Sequence, residues 1–161
     1  MLYTKSKGNT YKTYKRHNRT NDGGTTRKTS DIFQLATAVL YQTPVQMFGI
    51  APNNLTDVPA FEIDFMKHVP TTWNETVFID GYPGKYCVLA RRHKDQWYVV
   101  GVNAQKEAIK LNVNLPMWAG KDVKLYSDNK KSEPQFSKIK IRNSGSVNLT
   151  IQPNGGVIVT Q

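Results

Sequence analysis

Two close pairs of carboxylates are the residues of this 161-residue chain best suited to acid–base work: Glu62 with Asp64, and Glu75 with Asp80. A useful pair would set a proton donor and a base across one cleft. The spacing of both pairs argues against that. Glu62 and Asp64 flank Ile63 in a segment with helical periodicity, and helix neighbours two apart do not face each other. Both are expected to solvate the helix's outer face. Glu75 and Asp80 stand near the two ends of a candidate strand, and an odd offset of five puts them on opposite faces. Glu75 is expected to form a cross-strand ion pair with Arg91 or Arg92 instead.

The remaining chemistry-bearing residues are scattered. His17, His68 and His93 fall in a basic loop, at a helix end and in a turn, with no metal-ligand spacing among them. His68 suits the negative end of a helix dipole. The single cysteine, Cys87, excludes an intrachain disulfide. It lies in the apolar run Tyr86–Ala90 and reads as a small buried hydrophobe. No Gly-x-Ser-x-Gly elbow is present, and Gly23-Gly24 is too short to cradle a phosphate. The sequence therefore assigns no catalytic and no metal-binding residue, and substrate-binding residues stay unassigned.

Three tryptophans raise the question of stacking on sugars. Trp97 lies mid-strand and is expected in the core. Trp73 is expected to staple the helical part to the strand-rich part. Trp118, in Pro116-Met117-Trp118-Ala119-Gly120, is expected to be the exposed one and so a weak carbohydrate-binding candidate. Tyr3, Tyr11 and Tyr14 interleave with Lys5, Lys7, Lys12, Lys15, Arg16 and Arg19, a pattern that could grip single-stranded nucleic acid. Solvation of a loop is the preferred explanation, and nucleic acid is not the favoured partner.

Charge supports that division. The net charge is +10, of which residues 1–28 carry +7 and the rest +3. The basicity thus belongs to the first segment and not to the globular part. The first 30 residues contain no apolar signal core, and no apolar stretch approaches the ~20 residues that span a bilayer.

The elements that must hold these residues change character near residue 70. Ser30-Asp31 opens a helix whose apolar face is Ile32, Leu35, Ala36, Val39 and Leu40, stopped by Pro44. Val45–Phe48 reads as a short buried strand. A second helix, capped by Thr56 or Asp57 with Pro59 in its first turn, carries Val58, Phe61, Phe65, Met66 and Val69 and ends at Pro70. From Thr72 onward eight short strands are predicted: 75–80, 86–92, 97–103, 108–113, 121–126, 136–142, 146–151 and 157–161. Turn signals such as Gly81-Tyr82-Pro83-Gly84 and Asn143-Ser144-Gly145 separate them, as in an antiparallel sandwich.

Several segments taken together, in order, carry a family resemblance. They are Gly24-Thr25-Thr26-Arg27, Gln34-Leu35-Ala36, Pro44-Val45-Gln46-Met47, Ala51-Pro52-Asn53-Asn54-Leu55, Val69-Pro70-Thr71-Thr72-Trp73-Asn74-Glu75-Thr76, Gly81-Tyr82-Pro83-Gly84-Lys85-Tyr86, Ala90-Arg91-Arg92 and Gln96-Trp97-Tyr98. In this order and spacing the chain resembles the C-terminal end of glycoside hydrolase family 97, bacterial α-glucosidases and α-galactosidases. The resemblance implies an α+β arrangement overall: residues 1–70 as the closing fragment of a (β/α)8 barrel, and residues 71–161 as an antiparallel β-sandwich that serves as scaffold and oligomerisation domain.

On that map Leu2-Tyr3-Thr4 matches the end of the seventh barrel strand, Val45–Phe48 the eighth strand and residues 58–69 the eighth helix. The family's catalytic carboxylates and the glutamates that bind calcium in some full-length members fall on earlier strands, with no counterpart here. A position usually occupied by Asp is Leu2. The resemblance thus implies no cofactor in this chain, an α-linked oligosaccharide as the full-length enzyme's substrate, and a second copy or the missing barrel as partner. A full-length bacterial member would be periplasmic. The alternative is a stand-alone carbohydrate-binding β module.

Overall fold

In the computed structural model, the described residues are 27–50, 52 and 54–161. The expectations that rest on residues 1–26, including the basic aromatic segment, His17 and the Leu2-Tyr3-Thr4 match, lie outside them.

Helix α1, Asp31–Leu40, begins where the sequence predicts. The Ser30 hydroxyl accepts the Phe33 N–H at 3.0 Å, and Asp31 occupies the positive end of the dipole. The helix stops before Pro44 because Tyr41 turns to extended backbone and offers its carbonyl to the Arg91 guanidinium at 2.9 Å. A single helical turn, α2 (Asn54–Asp57), precedes α3, Ala60–His68. Thr56 and Asp57 lie inside α2, so neither caps the main helix. Pro59 stands at that position without a side-chain cap, and Val69 closes the other end just before Pro70.

Residues 45–48 form no strand, contrary to the sequence expectation. Val45 is exposed and Met47 is 91% exposed. No strand among the described residues lies alongside to take their backbone hydrogen bonds. Gln46 instead folds back to donate to the Ala38 carbonyl of α1.

All eight predicted strands form: β1 Glu75–Tyr82, β2 Tyr86–His93, β3 Gln96–Asn103, β4 Ile109–Asn114, β5 Asp122–Asp128, β6 Pro134–Lys140, β7 Ser146–Ile151 and β8 Gly156–Thr160. Six make one antiparallel sheet in the order β1-β2-β3-β8-β5-β6, and β4 with β7 makes a second. The two sheets pack face to face around Val88, Val99, Trp118, Leu149, Ile151 and Val159. The opposite face of the large sheet is covered by α1 and α3, through Ile32, Leu35, Val39 and Phe65 against Tyr98, Val100, Tyr126 and Ile158. Central strands buried on both faces read as unbroken apolar runs, as in Tyr98-Val99-Val100 and Val157-Ile158-Val159. β7, covered on one side, alternates buried and exposed.

Gly156 lets α1 approach that closely. A Cβ there would meet the Phe33 backbone nitrogen at 2.6 Å and the Ile32 carbonyl carbon at 2.7 Å. No side chain larger than hydrogen fits beneath the first turn of the helix.

Candidate functional site

The candidate carboxylates are held apart in unrelated settings. Glu75 lies opposite Arg92 across β1 and β2, accepting from Arg92 Nε at 3.0 Å, with Nη2 also at 3.0 Å. This is the ion pair the spacing predicts. Asp80 accepts from the Tyr86 hydroxyl at 3.1 Å and from the Gly81 N–H at 2.7 Å. That bond to Asp80 holds the Tyr86 hydroxyl above its usual pKa. A bulge between Phe78 and Asp80 shifts the register of β1 between the two acids. Asp64 is exposed and pairs with His68 at 3.2 Å, one helical turn along.

Glu62 departs from expectation. It is fully buried and does not solvate the outer face of α3. Its position explains this: four residues after Val58 and three before Phe65, it occupies a slot of the apolar stripe itself. That signal is present in the sequence, but carboxylate chemistry argues against reading it as buried. Neither oxygen of Glu62 has a hydrogen-bond partner among the described residues. Burial, reinforced by the negative charge of Asp31 and then, less strongly, of Asp128, raises its pKa to about 8 against the opposing pull of Arg27. Burial at this position thus favours the neutral acid over the carboxylate.

The surroundings of Glu62 form a junction of three elements. Arg27 pairs with Asp31 at the head of α1. Asp128, at the end of β5, accepts from the Ser30 hydroxyl at 2.6 Å and from the Gly156 N–H at 2.8 Å. Burial raises Asp128 to about 6, although those two hydrogen bonds hold its charged form. The hydrogen bonds of Asp128 clamp the start of α1 to the ends of β5 and β8. No group of three or more His, Cys, Asp or Glu among the described residues could hold a metal ion.

Trp118 corrects a second expectation: it is fully buried between the sheets, so no sugar can stack on it. The short 3-10 turn Pro116–Trp118 aims it inward from a segment that reads as a loop. Trp97 packs against the sandwich core with Arg92 at 5.8 Å from its ring. Trp73 meets Tyr98 edge-on at 5.5 Å and lies 5.7 Å from the buried Arg91 guanidinium, joining the helical side to the sheet. Cys87 is half-buried, and desolvation raises its pKa. His93 Nδ1 lies 2.8 Å from the Thr72 carbonyl. No described helix is long and apolar enough to cross a membrane.

With no catalytic constellation among the described residues, comparison with known proteins decides the assignment. The family model described as "Glycosyl-hydrolase 97 C-terminal, oligomerisation" matches residues 72–160, more than half of the chain. The chain belongs to glycoside hydrolase family 97. Among curated relatives, it is 39% identical over 69 residues to a retaining alpha-galactosidase of Bacteroides thetaiotaomicron, covering 43% of this chain and 10% of that one. It is 31% identical over 75 residues to a probable retaining alpha-galactosidase of Streptomyces bingchenggensis, covering 47% and 12%. The chain thus spans about a tenth of the length of these relatives. Among solved structures, a beta-arabinopyranosidase is 60% identical with a TM-score of 0.83, over 91% of this chain and 23% of that one. A family 97 enzyme from Pseudoalteromonas sp. strain K8, in complex with panose, is 26% identical with a TM-score of 0.72, over 84% and 23%. The family 97 match begins at residue 72, but the sheet it describes shares a core with α1 and α3.

Proposed function

We propose that this chain is the C-terminal portion of a family 97 α-glycosidase and acts as its scaffold and oligomerisation domain, with the bond-breaking carboxylates lying outside the described residues. The observation that carries this is the match of residues 72–160 to the family's C-terminal domain, described as an oligomerisation domain. Engagement of Glu75, Asp80 and Asp64 with partners of their own supports it.

Residues 1–70 are, in this reading, the end of a (β/α)8 barrel, and residues 71–161 the β domain. The exposed apolar side chains Val45 and Met47 support it, because a barrel neighbour would cover them. The substrate of the whole enzyme is an α-linked galactoside or its pentose counterpart. The relatives named alpha-galactosidase and beta-arabinopyranosidase agree chemically, since a β-L-arabinopyranoside has the ring stereochemistry of an α-D-galactopyranoside without its hydroxymethyl group. A periplasmic setting is the corresponding proposal for a full-length bacterial enzyme.

The test pairs turnover with mass. The purified 161-residue chain, given aryl α-galactosides and β-L-arabinopyranosides with calcium, should release no aryl group, and light scattering should find it associated. Robust hydrolysis would overturn the scaffold reading.

A further inference from the structure

The two edges of the large sheet are built differently. β6 opens on Pro134 and carries Lys138 and Lys140, devices that discourage pairing with another strand. Its Phe136 stacks on Phe61 of α3, with centroids 5.7 Å apart. β1, the other edge, has neither proline nor lysine over its eight residues. Among the described residues its main packing is against β2, with Ile79 reaching the core between the sheets. Two apolar side chains in its middle are open to solvent: Val77 is 41% exposed and Phe78 67% exposed. Phe78 lies flat along its own strand, since a Cβ on Gly81 would stand 3.2 Å from Phe78 Cε2. The result is a smooth, uncharged ribbon edge over Thr76–Phe78 with its outward backbone groups unpaired within the large sheet.

We propose that β1 pairs antiparallel with β1 of a second copy of this chain, joining the two large sheets into one through a two-fold axis at Val77. This rests on the oligomerisation reading above and names the surface responsible. Centring the axis at Val77 sets Thr76 opposite Phe78 and Glu75 opposite Ile79. Centring it between Val77 and Phe78 would oppose Glu75 to Asp80, two like charges, and is disfavoured. The bulge after Phe78 ends the regular ladder and fixes the length of the contact. The contact is isologous and closes at two copies, so a dimer is the product and not a fibre.

Sedimentation and light scattering of the full chain test this. The wild type should be a dimer, and Val77→Lys and Phe78→Lys, both at exposed positions, should weaken association by at least about tenfold. Met47→Lys, at an exposed apolar residue elsewhere, should leave it intact. In a Cys87→Ser background, Val77→Cys should give a disulfide-linked dimer on mild oxidation and Met47→Cys should not. An assembled chain indifferent to both lysine substitutions, or dissociated by Met47→Lys alone, overturns the β1 interface while the oligomerisation reading survives. A wild-type chain that stays monomeric at every concentration overturns both.

Discussion

The Ser30 hydroxyl and the Asp128 carboxylate, 98 residues apart in the chain, meet at 2.6 Å. Ser30 caps α1 through the Phe33 N–H with the same oxygen, and Asp128 also takes the Gly156 N–H. One hydrogen-bonded path thus connects the start of α1, the end of β5 and the start of β8. Ser30→Ala should lose the cap and leave Asp128 with a single donor, costing about 1–2 kcal/mol in chemical denaturation. Gly156→Ala should cost about 1–3 kcal/mol, because the new methyl meets helix backbone that cannot rotate away. A Gly156→Ala variant as stable as the wild type would mean that α1 does not sit on β8 as described.

Stability should decline as pH rises through the window set by Glu62. Its unfolded value is near 4.5 and its folded value about 8. Between them the folded chain keeps a proton that the unfolded chain has released. This contribution is therefore full below 4.5 and lost by about 8, on the order of a few kcal/mol. Asp128 adds the same sign between 3.8 and about 6. Glu62→Gln should flatten the slope above pH 6 and make the chain more stable than wild type at pH 9. Urea midpoints from pH 5 to 9 check this, and parallel slopes for the two proteins would remove the buried acid from the explanation.

Trp118 should behave as a core residue. Trp118→Ala should cost about 3–5 kcal/mol, and Trp118 emission should be blue-shifted and shielded from iodide. Maltooligosaccharides should leave that emission unchanged; a saturable shift traced to Trp118 would return it to the surface.

The Glu75–Arg92 pair is partly exposed and should contribute little. Glu75→Ala should change stability by less than about 1 kcal/mol, an effect that added salt reduces. A double-mutant cycle with Arg92→Ala measures the coupling directly.

The strands were legible because turn residues punctuate short apolar runs at regular intervals, and Ser30 was legible as a cap because its chemistry is local. Three features were not. Val45–Phe48 has the composition of a strand, but a strand requires a neighbour, which composition does not report. Trp118 stands two residues after Pro116 and two before Gly120, a loop-like setting, and only the fold reveals that this turn points between two sheets. Glu62 sits in the apolar register of α3, yet its charge in free solution conceals the neutral form that burial selects. Local pattern therefore located the elements, and long-range packing decided what each residue became.

Covering of the large sheet by α1 and α3 bears on where this protein can be cut. A clone trimmed to residues 72–160 would strip Ile32, Leu35, Val39 and Phe65 from Tyr98, Val100, Tyr126 and Ile158. Such a product would present a greasy wall to its neighbours and precipitate, whereas one begun ahead of Ser30 would carry its own lining.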